Sequence, residues 1–281
     1  MTAPAVPAPR SWLFVPADSD KKIAKALASD ADALIFDLED SVAPDRKASA
    51  RDLLRTLPAR SGGPQWWVRI NPLGSDQLKA DLKLLASADF TGIVLPKAES
   101  GADVTQLAHR TGNVPIHAIV TETAASLFGL LSYRDAKSPL AAMSWGAEDL
   151  SAALGASGKY DADGELAFTY KLARSLCLAG AVAAGVQPVD GVFADFRDED
   201  GLTTEARAAA SEGFTGKLAV HPAQVAPINA AFTPSAEELK HARAIVDAFG
   251  ADPSAGVLSV DGRMVDRPHL IQAQGVIARA H

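Results

Sequence analysis

The chain has 281 residues, of which 48% are hydrophobic and 22% are charged, so it can bury a large core as one α/β barrel or as two smaller domains. Its formal net charge of -7 argues against a general affinity for nucleic acid or for an anionic membrane surface. Cys177 is the only cysteine, which excludes an internal disulfide and is compatible with a reducing compartment. The first residues lack the basic and apolar regions of a signal peptide, so we expect a loose N-terminal extension and a cytoplasmic protein.

Short apolar runs of strand length alternate with longer amphipathic segments along the chain. The strand predictions cover residues 12–15, 33–36, 66–70, 92–95, 115–120, 140–145, 188–193 and 217–220. The helix predictions cover residues 21–28, 46–57, 75–87, 105–110, 166–184 and 204–212. Such alternation favours parallel strands that are joined by right-handed crossovers.

The number of predicted strands and the residues that follow them favour a TIM (β/α)8 barrel over a doubly wound sheet. No Gly-x-Gly-x-x-Gly turn follows the first strand, and polar residues follow most strands instead of gathering at one switch point. We therefore predict an N-terminal extension at 1–9, a barrel at 10–232 and a C-terminal helical extension at 233–281. In the last segment Ser235 is the predicted N-cap of a helix, and residues 252–267 read as turn-rich.

Carboxylates follow several of the predicted strands. An acidic tract containing Asp37, Glu39 and Asp40 follows the second strand, Glu122 follows the fifth, and Asp149 follows the sixth. Two carboxylates at neighbouring strand ends are enough for Mg²⁺, which keeps water or substrate oxygens as its other ligands. Capping of the following helices is the structural alternative for Glu122 and Asp149, and the spacing alone leaves both open.

Two basic side chains also stand at predicted strand ends. Arg69 lies in an otherwise apolar strand, where its guanidinium needs either a carboxylate of the protein or an anionic substrate group. Lys97 follows the fourth strand and raises the prospect of a Schiff-base aldolase, although carboxylates outnumber lysines at the other strand ends.

The chain resembles the citrate lyase beta-subunit family of CoA-ester lyases in seven motifs that occur in order. They are RSWLFVP at 10–16, FDLEDSV at 36–42, VRIN at 68–71, LPK at 95–97, ETA at 122–124, GAEDL at 146–150 and HPAQ at 221–224. Each motif is weak alone, but the ordered set is specific. The resemblance implies a TIM barrel that assembles as a trimer or hexamer.

The resemblance also implies roles for individual residues. Glu122 and Asp149 match the magnesium ligands, and Arg69 matches the arginine that holds the reacting carbonyl or carboxylate oxygens. Three further residues match an acidic motif that lines the site: Asp37, Glu39 and Asp40. Arg10 matches a residue near the CoA moiety, and Asp266 looks like a catalytic aspartate that is delivered from the tail of a neighbouring subunit.

The expected activity is a Mg²⁺-dependent lyase reaction on a CoA ester. It would cleave a 3-hydroxy-dicarboxylyl-CoA reversibly into acetyl-CoA and a 2-oxo acid, with coenzyme A as part of the substrate. The alternatives are a CoA-independent class II aldolase for 2-oxo acids, a CoA thioesterase, and a non-catalytic subunit of a lyase complex. The expected partners are small molecules and further copies of the chain, not nucleic acid or a membrane.

Overall fold

The computed structural model describes residues 8–60, 62–136 and 139–280. Of the predicted N-terminal extension at 1–9, only the last two positions fall within these residues. Two compact units are present, one spanning Ala8–Asn229 and the other containing the described residues that follow from Ala230.

The first unit is a closed barrel of eight parallel strands within the described residues, as predicted. The strands are β1 (Ser11–Pro16), β2 (Ala33–Asp37), β3 (Gln65–Arg69), β4 (Gly92–Leu95), β5 (Ile116–Ile119), β6 (Leu140–Ser144), β7 (Gln187–Asp190) and β8 (Gly216–Ala219). Each strand pairs with its neighbour in sequence, and β1 pairs with β8 to close the barrel. The predicted TIM-barrel fold is confirmed.

Helices connect the strands and continue beyond the last of them. They are α1 (Asp20–Leu27), α2 (Lys47–Arg55), α3 (Leu78–Leu85), α4 (Gly101–Thr111), α5 (Ser126–Gly129), α6 (Ala147–Ala153), α7 (Phe168–Ala184), α8 (Glu199–Glu212), α9 (Val225–Phe232), α10 (Ala236–Ala251) and α11 (Arg267–Ala278). Short 3₁₀ helices lie at Pro44–Arg46, Leu130–Asp135 and Pro222–Gln224. Of the helices in the described ranges, none combines the length and the apolar character that crossing a membrane requires.

The interior of the barrel is a packed apolar core, not a channel. Alternate residues of a strand point to opposite faces, so every strand contributes inward-facing side chains. The inner cluster consists of Trp12, Ala33, Ile35, Trp67, Val94, Ile119, Ala142, Val189 and Leu218. Because the strands are parallel, their carboxyl ends meet at one face of the barrel, where TIM-barrel enzymes place their active sites.

The second unit consists of α10, a β-hairpin and α11. The hairpin pairs β9 (Val257–Val260) with β10 (Arg263–Asp266) in antiparallel register. Its apolar residues pack with those of the two helices around a small core that includes Phe249, Val260 and Val265. Ser235 forms the predicted capping box with Glu238 at the start of α10.

The hairpin corrects the expectation that residues 252–267 are only turn-rich. Asp261 and Gly262 both have positive φ angles, 50° and 75°, between the two strands. An Asp-Gly pair favours the two-residue turn whose twist matches that of a hairpin. The sequence therefore contained the turn signal, but each strand is only four residues long and carries a weak pattern of its own.

Candidate active site

Arg69 is held by two carboxylates of the acidic tract at the carboxyl face of the barrel. Its Nε donates to Asp37 Oδ1 at 2.7 Å, and its Nη2 donates to Asp37 Oδ2 at 2.6 Å. Its Nη1 lies 2.9 Å from Glu39 Oε2. Asp37 ends β2 and Arg69 ends β3, and the two are paired directly in the strand register. The guanidinium is thus fixed by a two-pronged ion pair before any ligand arrives.

Burial and charge act in opposite directions on this group of residues. Burial raises the pKa of Asp37, but the charge and hydrogen bonds of Arg69 outweigh it and hold that pKa below its ordinary value. For Glu39, burial prevails over the charge of Arg69 and the hydrogen bond from Lys97, so its pKa is raised. Burial also lowers the pKa of Arg69, yet Asp37 more than compensates and raises it above its usual value. Arg69 therefore remains cationic at every working pH.

Glu122 follows β5 and is buried, with 4% of its surface exposed. Its Oε2 accepts a hydrogen bond from the backbone N–H of Lys97 at 2.5 Å. The pKa of Glu122 is raised to about 8, chiefly by burial and also by the nearby charge of Asp149, and the hydrogen bond from Lys97 only partly opposes these effects. Glu122 does not cap the helix that follows, since α5 begins only at Ser126.

The end of β6 approaches Glu122 closely at Gly146. A Cβ atom at Gly146 would lie 3.0 Å from Glu122 Cγ and 3.3 Å from its Oε1. Gly146 is also the N-cap residue of α6, and its N–H donates to Thr121 Oγ1 at 3.1 Å. A glycine at this point leaves room for the carboxylate of Glu122.

Asp149 lies in the first turn of α6, where a carboxylate is favoured by the helix dipole. Its Oδ1 is 3.3 Å from Lys97 Nζ. The same ammonium contacts Glu39 Oε1 and lies 3.1 Å from Asp40 Oδ2. Lys97 therefore joins the acidic tract after β2 to the carboxylate after β6.

Asp37, Arg69, Glu122 and Asp149 line a pocket of about 270 Å³ at the carboxyl ends of the strands. Its lining combines apolar and charged side chains. It is lined by Phe14, Pro16, Asp37, Ser41, Arg69, Ile119, Glu122, Trp145, Gly146, Ala147, Glu148, Asp149, Val192, Leu218 and Val220. Four carboxylates, those of Asp37, Glu122, Glu148 and Asp149, and the guanidinium of Arg69 therefore line a single space of the size of a small organic acid.

A larger depression of about 480 Å³ lies beside α4 and the 3₁₀ helix at Leu130–Asp135. It is shallow, and its lining includes Thr105, His109 and Asp135 but no cluster of charged side chains. We place the candidate site in the smaller pocket because the charged residues converge there.

The structure does not bring Arg10 into this pocket. Arg10 immediately precedes β1, so it lies at the amino-terminal end of the parallel strands. Its Nε donates to Asp32 Oδ2 at 2.8 Å, and its Nη2 donates to Asp32 Oδ1 at 3.0 Å. Arg10 is therefore not among the residues that line the pocket, and its match to a residue near the CoA moiety stays a prediction.

Asp266 belongs to the second unit and is the N-cap residue of α11. Its Oδ1 lies 2.5 Å from His269 Nδ1, and it accepts a hydrogen bond from the His269 N–H at 3.5 Å. The side-chain hydrogen bond with His269 lowers the pKa of Asp266. The carboxylate is therefore ionised at neutral pH.

A family model described as HpcH/HpaI aldolase/citrate lyase matches residues 10–222. The chain belongs to this family. A second model, described as a C–C bond lyase of the TIM-barrel fold, matches residues 168–281. Together the two matches include the barrel strands and the C-terminal unit.

Several relatives in the family are similar over nearly the whole chain. A citrate lyase subunit beta-like protein of Mycobacterium tuberculosis is 40% identical over 269 residues, which are 96% of this chain and 94% of the relative. A (3S)-malyl-CoA thioesterase of Cereibacter sphaeroides is 37% identical over 275 residues, covering 96% and 94%. A mitochondrial citramalyl-CoA lyase of Rattus norvegicus is 33% identical over 297 residues, covering 96% and 86%. The family thus includes proteins named as lyases and a protein named as a thioesterase.

Solved structures of the family share the fold. The M. tuberculosis protein CitE in complex with magnesium, acetoacetate and coenzyme A has a TM-score of 0.85 and 39% identity, covering 97% of this chain and 98% of that one. CitE in complex with magnesium and pyruvate has a TM-score of 0.77 and 35% identity, covering 96% and 98%.

Sequence reasoning missed a buried polar network beside the pocket. Trp145, which lines the pocket, donates from Nε1 to Asp190 Oδ1 at 2.7 Å. Asp190 also accepts from Arg174 Nε and from Lys217 Nζ, each at 2.8 Å. A lysine inside the short apolar strand β8 was the available signal, because a buried ammonium requires an anionic partner.

Proposed function

We propose that this protein is a Mg²⁺-dependent CoA-ester lyase. It cleaves a 3-hydroxy-dicarboxylyl-CoA of the malyl-, citramalyl- or citryl-CoA type reversibly into acetyl-CoA and a 2-oxo acid. The observation that carries the proposal is the convergence of Glu122, Asp149 and the fixed guanidinium of Arg69 on one pocket. Membership of a family with a citramalyl-CoA lyase supports the same reaction class.

Glu122 and Asp149 are the residues that would hold the metal ion. They line the same pocket, and Asp149 is close enough to raise the pKa of Glu122. Two such carboxylates in a partly dry space repel each other unless a cation lies between them. No group of three or more His, Cys, Asp or Glu side chains is arranged for metal binding in the described part of the chain. A pair of carboxylates suits Mg²⁺, which usually takes one or two from the protein.

Bound Mg²⁺ would supply Lewis acidity at the oxygens of the 2-oxo acid. The chain's own contribution is the cationic surface of Arg69, which meets the negative charge that develops on an enolate oxygen. Asp37 and Glu39 pair with the guanidinium and fix its orientation. Preorganisation of this kind stabilises charge without reorganisation during the reaction.

Asp266 is our candidate for the base that removes a proton from the acetyl methyl group. Its hydrogen bond with His269 lowers its pKa and keeps the carboxylate ionised, as a base requires. By the family resemblance it would be delivered by the tail of a neighbouring subunit. We assign Arg10 no contact with the 2-oxo acid, because it is not among the residues that line the pocket.

The protein is further proposed to form a homo-oligomer, a trimer or hexamer by resemblance. Phe168, Leu172 and Leu176 recur every four residues on α7 and are exposed by 76%, 44% and 38% of their surface. Residues with this spacing share one helix face. A second copy of the chain would cover this apolar stripe.

A thioesterase is the second candidate, because the family includes a (3S)-malyl-CoA thioesterase at 37% identity. Hydrolysis would release free CoA thiol together with the intact hydroxy acid. Carbon–carbon cleavage would instead release a 2-oxo acid and keep the thioester. A CoA-independent aldolase would act on the 2-oxo acid without acetyl-CoA, and a non-catalytic subunit would show no turnover alone.

The test is condensation of acetyl-CoA with glyoxylate, pyruvate or oxaloacetate in separate mixtures with Mg²⁺, followed by mass spectrometry of the CoA esters. We expect one condensed ester whose formation stops on addition of EDTA. Parallel assays supply malyl-CoA and measure free thiol and 2-oxo acid. Free thiol without 2-oxo acid would favour the thioesterase, and absence of any CoA-dependent product would contradict the lyase.

Variants then assign the metal ligands. Glu122→Gln and Asp149→Asn should each lower turnover by at least about a thousandfold, the scale lost with a major source of transition-state stabilisation. Both should also lose Mn²⁺ binding in electron paramagnetic resonance titrations. Glu99→Gln is the matched control, since Glu99 is exposed and lies outside the residues that line the pocket. Full turnover in either pocket variant would refute the assigned site.

A further inference from the structure

Lys97 has an unusual backbone conformation beside the pocket. Its φ angle is +52°, and it is one of two non-glycine residues with positive φ in the described part of the chain. A side chain with a Cβ atom disfavours this left-handed region. Such conformations persist where the surrounding structure over-determines them, and they occur often at functional sites.

The left-handed turn gives Lys97 two separate contacts with the candidate site. Its backbone N–H points at Glu122 Oε2, at a distance of 2.5 Å. Its side chain reaches the acidic tract after β2, where Nζ contacts Glu39 and Asp40. The same Nζ lies 3.3 Å from Asp149 Oδ1. Lys97, in the loop after β4, thus contacts carboxylates that follow β2, β5 and β6.

The ammonium is a permanent positive charge at this place. Lys97 Nζ is paired with three carboxylates, those of Glu39, Asp40 and Asp149, and such partners favour the charged form of the amine. A Schiff-base lysine must be a neutral amine when it attacks a carbonyl group. The structure therefore disfavours the aldolase role that the position of Lys97 first raised.

We propose that Lys97 is a built-in counter-cation of the candidate metal site and competes with the divalent metal ion for Asp149. This inference rests on the proposed metal site. The ammonium holds Glu39, Asp40 and Asp149 together before the metal arrives. A divalent ion on Asp149 would compete with the ammonium for that carboxylate and would leave Lys97 its contacts with Glu39 and Asp40.

Competition of this kind predicts the direction in which metal affinity changes when the ammonium is removed. A positive charge a few ångströms from a dication weakens its binding, so loss of that charge strengthens it. Lys97→Met removes the ammonium and keeps a flexible apolar chain of similar length. We expect this variant to bind Mn²⁺ at least about tenfold more tightly than the wild type. We also expect its melting temperature to be lower in EDTA, because three carboxylates lose their shared partner.

The experiment measures Mn²⁺ affinity by electron paramagnetic resonance and thermal unfolding with EDTA or saturating Mn²⁺. Lys79→Met is the matched control, because it removes the same charge from an exposed position on α3. Lys97→Arg keeps the charge and should bind Mn²⁺ within about threefold of the wild type. The metal-induced rise in melting temperature should be largest for Lys97→Met.

The proposal is overturned if Lys97→Met binds Mn²⁺ no more tightly than the wild type and Lys79→Met do. If Lys97→Met does not fold, Lys97→Gly replaces it, since glycine adopts the left-handed backbone without strain and carries no charge. The same gain in affinity is expected of Lys97→Gly. A wild type without Mn²⁺ binding would instead refute the metal site of the proposed function, and the two failures are thereby distinguished.

Discussion

Arg69 illustrates how the surroundings of one residue decide between two interpretations. The sequence left open whether its partner was a carboxylate of the protein or a group of the substrate. The guanidinium is paired with Asp37 through two hydrogen bonds and also lines the pocket. An arginine has five N–H donors, so binding by Asp37 leaves donors for a ligand. Pairing with Asp37 therefore orients Arg69 for the proposed contact with a substrate oxygen.

His117 is a second residue whose behaviour follows from its burial. It lies on β5 with no exposed surface, and its ring packs edge-on against Trp12 with 4.6 Å between ring centroids. Its Nε2 lies 2.9 Å from Ser144 Oγ, and its Nδ1 has no hydrogen-bond partner among the described residues. Burial lowers the pKa of His117 to about 3.

Acid should therefore destabilise the barrel through His117. The unfolded chain takes up a proton near pH 6.5, whereas the folded chain resists protonation until about pH 3. The stabilising contribution is complete above about pH 6.5 and declines as the pH falls toward the folded pKa, by up to about 1.4 kcal/mol per pH unit. Urea unfolding of the wild type and of His117→Phe across this range measures the difference in slope.

The variant His117→Phe should show a flatter dependence on pH than the wild type, even where its absolute stability is lower. His109→Phe serves as the control, because His109 is exposed on α4 and should leave the wild-type slope in place. Parallel slopes for the wild type and His117→Phe would show that the buried imidazole does not govern acid unfolding.

At the scale of single elements, the strand ends were better predicted than the segments between them. The end of a short apolar run marks where a strand stops, and this placed Arg69 at the carboxyl end of β3 and Glu122 shortly after the end of β5. The hairpin was missed because a four-residue strand offers too few positions to establish a period. Its Asp-Gly turn was the readable signal.

The element α11 allows the two roles of Asp266 to be separated. Asp266 caps this helix, and the proposed function also makes it a base. Serine caps helices about as well as aspartate but has no carboxylate. Asp266→Ser should therefore keep the melting temperature close to that of the wild type while turnover falls by at least about a hundredfold, the scale of a general base.

Asp266→Ala is the companion variant, and it should lower both the melting temperature and turnover because alanine neither caps nor accepts a proton. Differential scanning fluorimetry and the condensation assay supply the two readouts. If Asp266→Ser turns over like the wild type, the residue acts only as a helix cap.

At the scale of the whole molecule, the exposed apolar stripe on α7 is the proposed contact between copies of the chain. Phe168, Leu172 and Leu176 would remain in water in a single copy of the chain. The double variant Leu172→Glu/Leu176→Glu places two charges on the proposed contact, and burying unpaired charges is costly. We expect light scattering after size exclusion to shift from an oligomer toward the 29.2 kDa of one chain.

Ala208→Glu is the control for added negative charge, since Ala208 is exposed on α8. Its oligomeric mass should equal that of the wild type. An unchanged mass for the α7 double variant would place the subunit contact elsewhere. If Asp266 comes from a neighbouring subunit, dissociation by the α7 variant should also reduce turnover.

The sequence by itself determined the barrel and the end of it that carries the candidate site. Strand length and apolar periodicity are local properties, and parallel strands bring their carboxyl ends to one face whatever the side chains are. The ordered motifs then indicated the family, and that resemblance implied roles for the carboxylates and Arg69 that their places at strand ends had left open.

Only the tertiary structure decided which charged groups meet. Closing the barrel brings Lys97 to three carboxylates that are distant in sequence, and it places Asp190 between Arg174 and Lys217. It also pairs Arg10 with Asp32 at the opposite end of the strands from the pocket. These contacts depend on strand register and side-chain direction across the closed sheet, which a residue's own neighbours in sequence do not specify.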